Sequence, residues 1–291
     1  MVVRVQQPID WTPRTTGTRW SVEVRDTATT TPLLRMRERD LLQTASLGKL
    51  FILRRVAESL TKEPANHTTL LVKPQDHMVG DSGLWQHLQA DALPIPDLAV
   101  LIASCSDNMA SNALIDWLGL ERVQQTAAEW VEGGSTLCDY YRDHRDDSHA
   151  PTVSRGSAGD YVRMILDVTL ALTPELEVVR GWMSTSMDMS LVGAAAGIDP
   201  LSHYHPQGFN CVNKTGCDVG VRADVGVITS RQGALAYAAI CNWELADEPS
   251  TTASVIDDMR RLGVALVDRL GGNSPGRPEW PGGAAVDGPS V

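Results

Sequence analysis

Lysine is scarce in this chain. Four occur in 291 residues, Lys49, Lys62, Lys73 and Lys214, and arginine carries the rest of the positive charge. Lys and Arg form no basic run and the formal net charge is −11, so the footprint of a nucleic-acid binder is missing. No stretch of about 18 apolar residues occurs, so no membrane-spanning helix is expected. The opening MVVRVQQPIDW lacks the apolar segment of a secretory signal. A cytoplasmic protein is therefore expected, or a secreted one if a signal has been removed. The five cysteines are odd in number and form no CxxC pair. This argues against a disulfide framework and a zinc ribbon, and no residue pattern calls for a metal or cofactor.

What remains is an ordinary globular composition, 43% hydrophobic and 21% charged, in a chain long enough to bury a sizeable core. The Pro- and Thr-rich residues 1–18 read as a leader over the surface. Trp20, Val22 and Val24 alternate with polar residues and predict a strand, paired with a second over residues 33–36. Thr44 is placed to cap a helix from Ala45, and Leu50, Phe51, Leu53 and Leu60 make that helix apolar enough to be central. Further helices are predicted over 97–104, 109–118, 121–131 and 155–172, with a charged loop over 138–152. Strands follow over 209–214, 224–229 and 234–241, then an amphipathic helix over 252–270. The Gly/Pro-rich residues 272–291 read as a disordered tail. The fold class is therefore α/β of the α+β kind. N- and C-terminal strands form one antiparallel sheet flanked by helices, and an all-helical lobe (about 60–205) is inserted in a single domain, 19–271. A cleft between the lobes is a natural site.

Three short motifs lie in that frame. In Ser46-Leu47-Gly48-Lys49, the i and i+3 positions share a helix face, so hydroxyl and amine can meet. A serine hydroxyl needs a base to become a nucleophile, and a lysine serves only if burial or a nearby cation lowers its pKa. Ser106-Asp107-Asn108 breaks two helices. Its serine offers a proton relay, and its asparagine an amide that either grips a substrate carbonyl or holds the lysine. Lys214-Thr215-Gly216, read as a strand end, offers a cation and a hydroxyl to a carboxylate, beside a glycine that permits close backbone approach. The N–H groups of Cys217 and Ser46 would then form an oxyanion hole. Alone, each motif is also what an ordinary helix start, capped turn or strand end contains.

Together, in this order and context, S-x-x-K, S-D-N and K-T-G make the chain resemble the class A β-lactamase family within the penicillin-binding superfamily. Thr44-Ala45, Asn112 and the run from Arg222 to Val227 add to a resemblance that covers about residues 20–270. It implies a β-lactamase/transpeptidase-like fold and a covalent acyl-enzyme on Ser46, with Lys49 assisting its deprotonation. Ser106 would pass a proton to the leaving group. Lys214 and Thr215, with Arg222, would hold a substrate carboxylate beside Gly216, and Asn108 would align the substrate amide.

The chain departs from the family at one place. Class A enzymes carry a loop glutamate that activates the deacylating water. Residues 137–152 contain none, and Glu129 and Glu132 lie before them. Ungapped counting from Ser106 brings Tyr141 or Arg142 to the glutamate's place, and Asp143, His144, Asp146 and Asp147 are the candidate replacement bases. Slow deacylation of classical β-lactams is the expectation. Three readings compete: a β-lactamase-like hydrolase of a β-lactam or related small, carboxylate-bearing acyl substrate; an acyltransferase or esterase of small-molecule metabolism; and a penicillin sensor or cell-wall D,D-peptidase, which the missing membrane span and signal disfavour. The runs 143–149 and His203-Tyr204-His205 read as surface segments rather than metal sites, and Cys105, Cys211 and Cys217 as packing residues.

Overall fold

The computed structural model describes residues 7–203, 208–244 and 248–271. The chain opens with β1 (Arg19–Asp26), β2 (Pro32–Met36) and a short β3 (Leu42–Gln43). A 3-10 turn over Ala45–Gly48 leads directly into α1 (Lys49–Lys62). The middle holds β4 (Leu70–Val72), β5 (Ala92–Pro94), α2 (Ile95–Cys105), α3 (Asn108–Leu118), α4 (Leu120–Trp130), β6 (Thr136–Leu137), β7 (Ser154–Gly156), α5 (Ala158–Leu170) and α6 (Pro174–Met183). The chain then closes with β8 (Asn210–Asp218), β9 (Val221–Ser230), β10 (Gly233–Asn242) and α7 (Glu248–Arg269). The main sheet runs β2-β1-β10-β9-β8, antiparallel throughout, so the first and last strands pair as expected. No helix among the described residues is long and apolar enough to cross a membrane.

Both faces of the sheet are covered. One face, with Ala223, Val225, Ala236, Ala238 and Ile240, packs on a core shared with α1, α5 and the helical middle. The other, with Trp20, Val22, Val24 and Tyr237, packs on Val255, Met259, Leu262 and Leu266 of α7. The alternation in β1 therefore does not separate core from solvent. Ser21 and Glu23 are fully buried: Ser21 Oγ accepts the Ala158 N–H at the start of α5 (3.0 Å), and Glu23 pairs with Arg25 and Arg35.

Several local expectations are corrected. Residues 7–18 do not simply run over the surface. Ile9 and Trp11 are buried in the α7-side core, and Asp258 of α7 accepts the N–H groups of Arg14 (2.9 Å) and Thr15 (2.9 Å). Two apolar side chains in a Pro/Thr-rich segment suffice to seat it. Thr44 does not cap α1 with its side chain; its hydroxyl instead meets Ser154 Oγ (2.7 Å) and Tyr161 Oη (3.1 Å). The helix expected from residue 155 begins at Ala158, because residues 154–156 pair with β3 and β6. β8 continues through the K-T-G motif to Asp218 instead of ending there. The residues of the expected tail lie outside the described residues.

Candidate active site

The first two motifs are placed by junctions between elements, and the third by the strand β8. Ser46 is in the 3-10 turn and Lys49 is the first residue of α1, so the three-residue spacing brings Nζ to 3.0 Å from Ser46 Oγ. Ser106 terminates α2 in the left-handed conformation (φ 59°, ψ 36°). A non-glycine residue adopts this region at a cost, and here it aims both serine oxygens at one amine. Lys49 Nζ lies 2.6 Å from Ser106 O, 3.0 Å from Ser106 Oγ and 2.6 Å from Asn108 Oδ1. Asp107 fixes the break: it caps α3 through Ala110 N–H (2.8 Å) and accepts the N–H groups of Leu84 (2.7 Å) and Trp85 (2.8 Å).

Lys214 reaches in from β8. Its Nζ donates to Ser106 Oγ (3.0 Å) and to the Thr215 carbonyl (3.0 Å). The two lysines thus approach Ser106 from opposite elements. Burial, then the charge of Lys214, hold the Lys49 pKa well below its ordinary value. Burial also lowers Lys214, to about 8, against the opposing pull of Asp188. Gly216 has a steric reason: a Cβ there would collide with the Thr44 carbonyl and sit 3.2 Å from Ser46 N. Only glycine lets β8 lie against the nucleophile's turn.

Two adjoining hollows open on this cluster and share Ser46, Ser82 and Cys217. One, about 310 Å³, is also lined by Ser106, Asp188, Lys214 and Thr215. The other, about 450 Å³, is also lined by Asn108, Tyr141 and Asp143. Tyr141 belongs to the charged loop and is held by Asn112, which accepts its N–H (2.9 Å) and donates to its carbonyl (2.8 Å). The Tyr141 ring lies under Lys49, 4.3 Å from Nζ to centroid. Its hydroxyl is buried without a partner among the described residues, and burial raises its pKa well above the ordinary phenol value.

The profile of the β-lactamase enzyme family matches residues 7–268. The chain belongs to that family. Solved structures with the same fold include a β-lactamase from Sphaerobacter thermophilus (22% identity, TM-score 0.74), with 88% of this chain and 92% of that one covered. A class A β-lactamase from Mycobacterium abscessus (16%, TM-score 0.70) is covered over 88% of this chain and 95% of its own. PBP-A, in a mutant solved as an acyl-enzyme complex with penicillin G, matches at 17% and TM-score 0.72, with coverages of 89% and 92%. No curated protein sequence matches the chain. The β-lactamase family and fold imply a serine hydrolase.

In this β-lactamase-family chain the structure gathers Ser46, Lys49, Ser106, Asn108, Lys214 and Thr215 into one cluster, with Cys217 at its edge. It does not bring in Arg222. That guanidinium donates to the carbonyls of Asp218 (2.7 Å) and Val221 (2.7 Å) and stands over the Trp243 ring, and it lines neither hollow. Asp143 lines the larger hollow, but its carboxylate accepts the N–H groups of Gly80 (2.9 Å) and Asp81 (3.1 Å). His144 is exposed and lines neither hollow. Asp146 and Asp147 are exposed, and so are Glu129 and Glu132. His203 Nε2 lies 3.0 Å from the Ser186 carbonyl, while Tyr204 and His205 fall outside the described residues. Among the described residues no group of three or more His, Cys, Asp or Glu is placed to hold a metal. Cys211 is buried, and Cys105 donates to the Leu101 carbonyl (3.2 Å). Asp188 went unnoticed in the sequence: no motif surrounds it, and only the packing of residues 184–190 on β8 brings it to Thr215.

Proposed function

We propose that the protein is a β-lactamase-like serine hydrolase that forms a covalent ester on Ser46 with a β-lactam or a related cyclic amide or ester, and releases it slowly. The observation that carries this reading is the amine of Lys49: fully buried, 3.0 Å from Ser46 Oγ and depressed in pKa. As a neutral amine it takes the Ser46 proton while Oγ attacks the acyl carbon. The N–H groups of Ser46 and Cys217 stabilise the oxyanion. The ring C–N bond breaks, and Ser106 delivers a proton to the nitrogen, replenished from Lys214 or Lys49 at 3.0 Å each. Asn108 Oδ1 accepts from Lys49, which leaves its N–H₂ to align the substrate amide. That a PBP-A mutant, with this fold, was solved as a penicillin G acyl-enzyme supports the same chemistry.

Slow release follows from the loop. Residues 137–152 contain no glutamate. The residue packed on Lys49 is Tyr141, a phenol that stays protonated and makes no useful base. Of the two favoured replacement bases, Asp143 engages both carboxylate oxygens with backbone amides and His144 lines neither hollow, so neither stands free beside Ser46. The same feature favours a second reading, acyl transfer or ester chemistry in small-molecule metabolism, in which an amine or alcohol replaces water. A chromogenic cephalosporin tests the proposal. The expected trace is a burst of about one product per protein followed by a slow phase, lost in Ser46→Ala. Rapid linear turnover would refute slow release. Candidate amines that speed the slow phase and emerge acylated would select the transferase reading.

A further inference from the structure

The subsite expected to hold a substrate carboxylate already holds one from the chain itself. Thr215 Oγ1 donates to Asp188 Oδ2 at 2.6 Å. Asp188 is not a passing rotamer. Its Oδ1 accepts the Ser190 N–H (3.0 Å), and its own carbonyl accepts from Asn213 Nδ2 (3.0 Å), so side chain and backbone are both tied down beside β8. Burial alone would raise its pKa, but the hydrogen bonds from Ser190 and Thr215 and the charge of Lys214 bring it below the ordinary value, so it is ionised at neutral pH. It lines the same hollow as Ser46, Ser106 and Lys214. Around the acyl centre Lys214 is thus balanced by Asp188, Lys49 is depressed, and Arg222 is tied to backbone carbonyls outside the hollows. The adjoining hollow adds Asp81, Asp143 and Asp218 on the acidic side against Arg142 and Arg145, which are both paired with Asp139. An incoming carboxylate would face a fixed like charge at its own anchoring hydroxyl, which works against its binding.

We propose that Asp188 makes the Thr215 subsite select acyl donors presenting an uncharged or cationic group there, in place of the carboxylate that the family resemblance implies. The proposal rests on acylation of Ser46. Three donors with one bicyclic ring separate the two ideas: penicillin G, its methyl ester and its 2-(diethylamino)ethyl ester. Each ring opening forms the Ser46 Oγ–C bond, breaks the ring C–N bond and moves the serine proton to the nitrogen, so intact mass rises by the whole donor. Rates are divided by each donor's hydroxide hydrolysis rate to remove intrinsic reactivity. The expected result is acylation by both esters at least about tenfold faster than by the acid, with Asp188→Asn and Asp188→Ser bringing the ratio toward one. The ester series in the unaltered protein needs no variant to fold. Equal or faster acylation by the acid in the unaltered protein overturns the role of Asp188 and leaves the acyl-enzyme standing. A full ester preference retained in a folded Asp188→Asn overturns it too. No Ser46 adduct from any donor overturns the acyl-enzyme reading, and the subsite proposal with it.

Discussion

Lys49 and Lys214 converge on Ser106, each with its Nζ 3.0 Å from Oγ, and a proton relay through Lys214 requires the two lysines to differ in charge. Lys49 must be neutral to accept a proton, and its pKa is depressed by burial and by Lys214. Lys214 must keep a proton to supply the relay, and burial sets it at about 8. Acylation should therefore rise with pH as Lys49 deprotonates and fall again as Lys214 loses its proton near pH 8, a bell in the rate of adduct formation. A rate that keeps climbing through pH 9 would show that Lys214 supplies no proton. These residues were legible in the sequence because each motif spans four residues or fewer and lysine is rare. Tyr141 was reached only by counting along the chain, and counting left Arg142 equally eligible; it is the Tyr141 ring that packs on Lys49, while its backbone exchanges two hydrogen bonds with Asn112. Asp188 was not legible, since its partners Thr215 and Asn213 lie more than 20 residues away.

At the scale of elements, junctions position the chemistry. The α2–α3 break places Ser106 with φ 59°, and Asp107 holds that break through three backbone N–H groups from two segments. Removing a buried carboxylate that satisfies three donors leaves those donors bare. Asp107→Ala should lower stability by about 3 kcal/mol and slow Ser46 acylation, since Ser106 loses its support. Urea unfolding checks the first and adduct formation the second; a loss below about 1 kcal/mol would mean that the turn holds itself. The strands of the main sheet and all helices but α6 followed from periodicity; their ends did not, and the short strands β3 to β7, four of them in the middle expected to be all-helical, carry too few residues to show a period. Thr44 reads as a cap yet bonds Ser154 and Tyr161, and β8 runs on through Gly216 because that glycine packs against the turn of Ser46. Such contacts join residues about 110 or more positions apart, beyond any local pattern.

At the scale of the molecule, the sheet divides two cores, and the polar groups buried between them respond to pH. Asp224 on β9 is fully buried, accepting from Asn213 Nδ2 (3.1 Å), Tyr237 Oη (3.2 Å) and Val192 N–H (2.9 Å). Burial raises its pKa to about 7. The folded state then holds a proton that the unfolded state releases near pH 4. Stability contributed by the neutral carboxyl is full below that point and lost as pH rises to about 7, by roughly 4 kcal/mol in all. Asp224→Asn should flatten this decline. Its absolute stability reports altered hydrogen bonds, whereas the slope between pH 4 and 7 reports the carboxyl, and an unchanged slope would place the titration elsewhere. Sheet pairing and the inserted helical middle were readable from the order of strand and helix patterns. The seating of Ile9 and Trp11 was not, because two apolar residues in a Pro/Thr-rich stretch carry no period.

The ester on Ser46 is expected to outlive its formation. The most direct test is a pulse of penicillin G at high concentration, rapid removal of free donor, and intact mass followed over time beside Ser46→Ala. The prediction is a gain equal to the whole penicillin, confined to Ser46, that decays slowly after the donor is gone. Unmodified protein with many equivalents of hydrolysed product would contradict it, showing that water is activated at this site without a loop glutamate.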